Sequence, residues 1–219
     1  MGSHTEAYLA SRRNMVERHL RERGISRADL LEAFLQTPRE LFVSEADRQQ
    51  AYEDRPISIG KGQTISQPYV TALMVELLNP SPGDRVLDVG AGSGYQTAIL
   101  AALSRHVYAI ERIESLAERA AATLAQLNID NVTLCTGDGS LGWPEEAPFD
   151  GIICGAGAPD VPGAWVRQLR DGGRVVAPVG RDDLQQLVVI ERRGEEARRR
   201  EVCEVRFVRL IGKEGWPGP

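Results

Sequence analysis

A glycine loop between two predicted elements constrains this chain more than any other feature. Residues 85–89 read Arg-Val-Leu-Asp-Val, glycines follow at positions 90, 92 and 94, and a helix-forming stretch begins at Tyr95. The order of strand, glycine turn and helix is typical of nucleotide-binding α/β folds, in which the loop lies at the carboxyl edge of a parallel sheet. A tight turn without a ligand is the alternative for so short a motif.

The spacing of the glycines argues against a dinucleotide. The dinucleotide motif has its third glycine one position later, where this chain has Tyr95. Asp88 stands two residues before Gly90, where its carboxylate would repel a pyrophosphate and attract a cation such as the ammonium group of S-adenosyl-L-methionine (AdoMet). We therefore expect AdoMet as the cofactor, held by the loop of Gly90, Gly92 and Gly94.

A second carboxylate ends the next predicted strand, residues 106–111. Glu111 lies 21 residues beyond Gly90, and an acid near this spacing in strand-helix-strand folds accepts hydrogen bonds from ribose hydroxyls. A solvated glutamate paired with Arg112 is the alternative. Because Glu111 follows this loop at this distance, we favour the ribose contact.

Composition and charge limit the possible partners. The 219 residues are 42% hydrophobic and 26% charged, which suffices for one substantial core, and we expect a single domain over residues 1–219. The formal charge of -5 provides no basic field for nucleic acid or an anionic membrane. No signal sequence is apparent, nor an apolar run of about 20 residues, and we predict a cytoplasmic protein.

The cysteines and histidines indicate no metal or disulfide chemistry. The three cysteines are widely spaced without a Cys-x-x-Cys pair and are interpreted as core residues in a reducing compartment. The three histidines lie far from one another and from patterned acids, so we predict no metal site.

Residues 5–66 are predicted to be helical and then loop-rich. Apolar spacing predicts helices over residues 6–22 and from about residue 28 to Pro38. A small hairpin is expected around Gly60-Lys61-Gly62, between strands at 57–59 and 63–65. This segment would cover the substrate or the cofactor, or merely pad the fold.

Residues 67–219 are predicted to form a doubly wound, Rossmann-like core. After a helix over 67–78, strands and helices alternate, which is typical of a mostly parallel sheet with helices on both faces. The last two strands, expected over 184–192 and 201–210, have no helix between them and should pair antiparallel at one edge. The basic run at 198–200 would lie in the turn between them.

Several segments resemble those of one family of class I AdoMet-dependent methyltransferases, the protein-L-isoaspartate O-methyltransferases. The resemblance covers nearly the whole chain after about residue 30, and its most specific part is Thr-Ile-Ser-Gln-Pro at 64–68. The matching segments are 38–43, 51–56, 60–68, 137–139, 147–150, 178–180 and 205–208.

The resemblance implies a repair enzyme. Members of the family transfer a methyl group from AdoMet to the free α-carboxylate of L-isoaspartyl residues, which form spontaneously from Asn and Asp; the ester then collapses to a succinimide, and hydrolysis restores some aspartate. The partners would be isoaspartyl-containing proteins and peptides, and we expect a monomer. A methyltransferase for a small molecule or RNA would share residues 85–139 but has no need of the segment at 60–68. A non-catalytic AdoMet-binding module is the other alternative.

The resemblance also implies the site residues. Ser66 would be the catalytic residue, hydrogen-bonded to the substrate carboxylate or to the reacting end of the cofactor. Its position before a helix with Pro68 in the first turn also suits an N-cap, and both roles can hold because a helix N-terminus favours a carboxylate. The expected cofactor-binding residues are Thr64, Asp88, Gly90, Ala91, Gly92, Ser93, Gly94, Glu111, Arg112, Asp138 and Gly139. The expected substrate-binding residues are Ile65, Ser66, Gln67, Pro68, Arg206 and Val208.

Two further turns are expected to line the site, and two residues depart from the family pattern. Asp138 and Gly139 would meet the adenine, with the carboxylate accepting from its amino group, although Asp-Gly is also a common turn. The Gly-Ala-Gly-Ala turn at 155–158 would form a low-bulk floor under the reaction centre, or only a turn. Tyr69 stands where many relatives have histidine and therefore lacks an imidazole that could titrate. Arg209 stands where proline is common and is expected to alter the strand end that lines the substrate groove.

Overall fold

A seven-stranded sheet organises the computed structural model, which describes the backbone of residues 2–218 and the side chains of residues 6–218. The strand order is β5-β4-β3-β6-β7-β8-β9, and a separate two-stranded hairpin is formed by β1 and β2. The strands are β1 Ile57–Gly60, β2 Gln63–Ile65, β3 Arg85–Val89, β4 His106–Glu111, β5 Val132–Thr136, β6 Phe149–Cys154, β7 Leu169–Gly180, β8 Gln185–Arg193 and β9 Glu196–Val205.

The direction in which the chain crosses the sheet reverses at β3. Strands β4 and β5 add in parallel on one side of β3, and β6 and β7 add in parallel on the other. Ligands of open α/β sheets bind at such a switch point, outside the carboxyl ends of the strands. The loops that follow β3 and β6 meet there, since Gly155 N donates to Val89 O at 2.8 Å.

Helices cover both faces of the sheet. The helices are α1 Gly2–Asn14, α2 Ala28–Gln36, α3 Pro68–Leu78, α4 Tyr95–Ala101, α5 Glu114–Gln126 and α6 Gly163–Gln168. Helix α1 continues into a π-helical segment, Met15–Leu20, and shorter 3-10 turns occur at Arg21–Arg23, Arg39–Phe42, Glu45–Gln50, Gly139–Leu141 and Pro144–Glu146. One core cluster joins the N-terminal helices to one sheet face, and a second surrounds the fully buried Trp165 on the other.

The predicted fold class is confirmed: the sheet is mostly parallel with helices and has an antiparallel edge. The hairpin at 57–65 is also present, with Gly60 at φ 87° and Gly62 at φ 71°. The N-terminal helix is interrupted at residue 15 by its π-helical segment rather than running unbroken to residue 22.

The strand predicted at 184–192 agrees with β8 to within one residue, but the predicted bounds of the last strand, 201–210, were wrong. The two strands turn tightly at Gly194, whose φ is 62°, so that β9 begins at Glu196 and ends at Val205. The basic run at 198–200 therefore lies in the edge strand and not in a turn. An edge strand exposed to water accepts charged side chains, so charge alone did not distinguish the strand from the turn.

Within the described residues, no helix combines the length and the apolar character that crossing a bilayer requires.

Candidate functional site

Three cavities meet at the switch point of the sheet. The largest, about 460 Å³, is called here the wide groove, and its wall comes from the hairpin segment and from the chain after β9. Two smaller cavities, about 60 and 30 Å³, lie over the glycine loop and together are called the narrow cleft. Thr64 and Gly155 line all three cavities, and Ser66 lines the groove and one part of the cleft. A molecule in the groove and one in the cleft would therefore approach each other beside these residues.

The glycine loop forms the floor of the narrow cleft. Gly90, Ala91, Gly92 and Ser93 line it. Gly94, in contrast, does not line it: its φ is 86°, and a Cβ there would lie 3.1 Å from Ala120 Cβ in α5. The third glycine thus permits close packing of the loop against a helix, which is a structural role.

Asp88 lies beneath the loop and not in the cleft. Its side chain is fully buried, and its two oxygens accept hydrogen bonds from Gln96 Nε2 at 2.7 Å and Thr97 Oγ1 at 2.6 Å. These bonds tie strand β3 to helix α4 across the loop. Burial raises the pKa of Asp88 to about 6, although the hydrogen bonds from Thr97 and Gln96 oppose the shift. The predicted direct contact of Asp88 with a cofactor ammonium has no open path in this arrangement.

Glu111 lines the narrow cleft and also shapes it. Its side chain is buried; Oε2 accepts from Gly92 N at 2.8 Å, and Oε1 accepts from Ile113 N at 2.8 Å. Each oxygen retains a second lone pair for a ligand hydroxyl. Arg112 and Ile113 continue the same wall. The alternative of a solvated glutamate is wrong, because this carboxylate is buried and bonds to the backbone of the glycine loop.

The two predicted residues in the turn after β5, Asp138 and Gly139, have different structural roles. Gly139 lines the cleft, and a Cβ there would lie 2.5 Å from Val89 Cγ1, so only glycine leaves that wall open. Asp138 accepts from Ser140 N, Ser140 Oγ and Lys213 N at 2.9, 2.7 and 2.7 Å. Burial disfavours its ionisation, but these hydrogen bonds outweigh that effect and lower the pKa of Asp138. The carboxylate thereby holds the C-terminal segment beside the cleft.

Ser66 faces the point where the groove and cleft meet. Helix α3 begins at Pro68 and its N-cap is Gln67, which makes no side-chain capping bond, so Ser66 stands one residue before the cap position. The hydrogen bond at Ser66 uses its carbonyl oxygen, which accepts from Arg39 Nη2 at 2.6 Å. The N-cap interpretation of Ser66 is therefore wrong, and its hydroxyl is left available to a molecule in the groove.

The predicted substrate residues lie mostly around the wide groove. Gln67, Arg206 and Val208 line the groove, and Ile65 lines the cleft. Pro68 lines neither; it is buried in the first turn of α3. The chain segment that carries Arg206 is held beside the groove by a backbone hydrogen bond two residues further on, which Gly157 N donates to Val208 O at 2.7 Å.

Sequence reasoning missed part of this site. The groove is also lined by Pro56, Val70, Leu184, Glu204 and Phe207, and the cleft by Gln63, Leu210 and Ile211. Phe207 lies within the matching segment at 205–208 and Glu204 directly precedes it, so the resemblance could have included both. Leu184 comes from a distant loop and carries no local signal. The low-bulk turn after β6 was predicted, and Gly155 lines all three cavities.

The two departures from the family pattern have local explanations. The Arg23 guanidinium lies 3.5 Å from the centroid of the Tyr69 ring, so the aromatic residue serves as a cation-π partner. Arg209 forms an ion pair with Asp182 and lines the cleft rather than the groove.

Comparison with known proteins identifies the family. The family described as protein-L-isoaspartate(D-aspartate) O-methyltransferase matches residues 10–215. A protein-L-isoaspartate O-methyltransferase of Pelotomaculum thermopropionicum is 50% identical over 206 residues, covering 94% of this chain and 90% of that protein. One from Marinobacter nauticus, named protein-L-isoaspartate O-methyltransferase 2, is 52% identical over 208 residues, covering 94% and 95%.

Solved structures agree with the sequence match. The crystal structure of a putative protein-L-isoaspartate O-methyltransferase from Plasmodium falciparum, in complex with S-adenosyl-L-homocysteine, superposes with a TM-score of 0.80 at 30% identity and covers 91% of this chain and 98% of that one. Another protein-L-isoaspartate O-methyltransferase structure has a TM-score of 0.85 at 30% identity over 93% of this chain and 67% of the other. With the family match extending from residue 10 to residue 215, this chain belongs to the protein-L-isoaspartate(D-aspartate) O-methyltransferase family.

Proposed function

We propose that this chain, an AdoMet-dependent methyltransferase by its family, methylates the α-carboxylate of L-isoaspartyl residues with AdoMet in the narrow cleft and the peptide in the wide groove. The observation that carries the assignment of the two cavities is that Thr64 and Gly155 line both, with Ser66 beside them. Methyl transfer requires donor and acceptor to meet at one point, and these three residues mark it.

The residues of the cleft fit AdoMet. The buried Glu111 carboxylate has free lone pairs for the two ribose hydroxyls, and Ile110 and Ile113 provide apolar wall for the adenine. Gly139 leaves space that a larger residue would fill. Bound there, AdoMet supplies a methyl group activated by its sulfonium charge.

Asp88 and Asp138 support the cleft from outside it. Asp88 fixes the glycine loop through Gln96 and Thr97, and Asp138 fixes the C-terminal segment through Lys213. We assign both as positioning residues for the cofactor, a narrower role than direct contact. Gly94 has a similar role through its packing on Ala120.

The acceptor needs orientation rather than activation. A carboxylate has a reference pKa near ~4, so it is ionised at neutral pH and requires no general base. Ser66 Oγ donates a hydrogen bond to one carboxylate oxygen and leaves the other directed at the methyl group. The apolar groove residues Val70, Phe207 and Val208 exclude water from this end, and holding the two reactants in line supplies the rate enhancement.

The setting that we propose is a cytoplasmic monomer. The formal charge of -5 disfavours nucleic acid and anionic membranes as partners. The first core cluster runs from Met15 to Val205, which supports treating residues 1–219 as one domain.

A paired-peptide assay tests the function. Two peptides of one sequence, with either an isoaspartyl or a normal aspartyl residue, are incubated with methyl-labelled AdoMet. Base-labile methyl ester should form on the isoaspartyl peptide and almost none on its twin. Equal labelling would contradict the repair function, and cofactor binding without any ester would indicate a non-catalytic module.

A further inference from the structure

Arg39 lies buried beneath the segment that carries Ser66. Its relative exposure is 0%. Nε donates to Ala51 O at 2.7 Å and Nη2 donates to Ser66 O at 2.6 Å. The planar guanidinium thus joins two parts of the loop-rich segment, and one of these is the backbone of the proposed catalytic serine.

The positive charge of Arg39 has no direct partner in the described residues. No ion pair among them includes it, and its third nitrogen, Nη1, has no hydrogen-bond partner there. The guanidinium lies 4.8 Å from the centroid of the Tyr95 ring, and Tyr95 lines the cleft together with Ser66. Burial lowers the pKa of Arg39, as expected for a cation withdrawn from water.

Arg12 offers an internal comparison. It is the other buried arginine of the described chain, at 8% exposure, and it pairs with Glu40 at 3.2 Å and with the Tyr52 hydroxyl at 2.9 Å. Arg12 is paired directly with a carboxylate, as buried charges usually are, whereas Arg39 has no direct ion pair and is favoured only by the more distant charge of Asp54. A buried cation without a direct ion pair is costly in the free protein and gains stability when a further anion binds nearby. The acceptor of the proposed reaction is such an anion.

We propose that Arg39 is a positioning residue for the acceptor. It holds the main chain at Ser66, and its charge supplies a positive potential that favours a carboxylate over a neutral group in the wide groove. The inference rests on the proposed function, because it takes the isoaspartyl carboxylate as the ligand beside Ser66. Arg39 acts through the Ser66 loop and through its field, without touching the substrate.

Two variants separate these two effects. Arg39→Lys keeps the charge but cannot span both carbonyl oxygens as the guanidinium fork does, and kcat/KM for the isoaspartyl peptide should fall about tenfold. Arg39→Met removes the charge. Binding of the isoaspartyl peptide, relative to a peptide whose α-carboxylate is replaced by a primary amide, should then weaken about tenfold. The control Arg12→Lys should leave this ratio unchanged.

The measurements are methylation kinetics with the isoaspartyl peptide, inhibition by the amide peptide, AdoMet titration by calorimetry and thermal unfolding. AdoMet affinity within about twofold of wild type in both Arg39 variants would locate the effect at the acceptor. Wild-type protein that methylates no isoaspartyl peptide would refute the proposed function itself. If the wild-type protein is active but Arg39→Met leaves the affinity for the isoaspartyl peptide relative to the amide peptide unchanged, only the role of Arg39 is refuted. Failure of both Arg39 variants to fold would assign the residue to stability and also overturn the inference.

Discussion

The two ends of the site are built differently. In the narrow cleft the acidic side chains already have protein partners: Asp88 bonds to Gln96 and Thr97, and Glu111 bonds to the backbone of Gly92 and Ile113. At the acceptor end the Ser66 hydroxyl is not used for capping, and Arg39 Nη1 beneath it is buried without a partner among the described residues. The hydroxyl of Tyr95, which lines the part of the cleft that Ser66 also lines, is likewise without a partner there. On the proposed assignment of the two cavities, the acids of the cofactor end are held in place before binding, whereas the acceptor end has polar groups that still lack partners.

This difference matches the chemistry of the two ligands. A cofactor of fixed structure is held best by a rigid frame, because a preorganised site loses less entropy on binding. A damaged segment of a protein varies in sequence, so its recognition depends on the carboxylate that every isoaspartyl residue carries. The comparison therefore predicts that changes at the acceptor end alter turnover with little effect on stability, and that changes at the cofactor end alter affinity and stability together.

The largest effect is expected from Ser66→Asp. An added carboxylate beside the acceptor would repel it by about 4 kcal/mol at contact distance in a partly shielded site, which corresponds to roughly a 10³-fold loss of kcat/KM. Because Ser66 does not cap helix α3, the free energy of unfolding should change by no more than about 0.5 kcal/mol. Single-turnover methylation and thermal unfolding measure the two quantities.

Ser66→Ala is the matched variant. Removing the hydroxyl eliminates one hydrogen bond to a charged group, worth about 1.5–3 kcal/mol, so kcat/KM should fall roughly tenfold to a hundredfold at nearly constant stability. A stable and fully active Ser66→Asp enzyme would show that the acceptor binds elsewhere.

The second prediction concerns how the stability of the protein depends on pH through Asp88, the buried acid beneath the glycine loop. Burial raises the pKa of Asp88 to about 6 from its ordinary value of 3.8, so the folded protein binds this proton more tightly than the unfolded chain does. The resulting stabilisation is present below about pH 4 and is lost as the pH rises through about 6, amounting to about 3 kcal/mol. Relative to Asp88→Asn, the free protein should lose about that much stability between pH 4 and pH 7, measured by urea unfolding.

Thr97→Val sharpens this prediction. Thr97 Oγ1 donates to Asp88 Oδ2 and favours the ionised form, so removing the hydroxyl should move the loss of stability to higher pH. A difference between wild type and Asp88→Asn that stays constant across the pH range would mean that Asp88 does not titrate there.

The residues of the proposed cofactor end could be predicted from local patterns in the sequence, and those of the proposed acceptor end only through resemblance. The glycine spacing and the distance from Gly90 to Glu111 are set by one strand-helix-strand unit, so they could be interpreted without knowledge of the rest of the fold. Arg39 and Leu184 reach the site from segments distant in the sequence, and such contacts depend on tertiary packing. The cap at Gln67 was missed because helix boundaries inferred from composition are uncertain by a residue or two.

The third prediction tests whether Glu111 binds the cofactor or only shapes the loop. Glu111→Ala should weaken AdoMet binding by about 1.5–3 kcal/mol, roughly tenfold to a hundredfold, through the loss of charge-assisted hydrogen bonds. Calorimetric titration measures the affinity. Glu114→Ala removes an exposed acid that does not line the cleft and should leave the affinity within about twofold.

The ligand can separate the two roles of Glu111. If the carboxylate binds the ribose, adenosine alone should lose affinity by the same factor as AdoMet. A loss for AdoMet but not for adenosine would indicate that Glu111 acts through the glycine loop.

The smallest effect is expected from the wall of the cleft at Gly139. A Cβ at this position would lie 2.5 Å from Val89 Cγ1, whereas a Cβ at Gly137 would have Ile110 Cγ2 at 3.8 Å as its nearest contact. Gly139→Ala should therefore cost about 1–3 kcal/mol of stability through overpacking and weaken AdoMet, while Gly137→Ala should be nearly neutral. The double variant Gly139→Ala with Val89→Ala removes the obstructing methyl group, so the two changes should be less damaging together than their sum. Equal effects of the two glycine substitutions on stability and AdoMet affinity would mean that Val89 can move aside at little cost. The proposed cofactor end would then not be rigid at this wall.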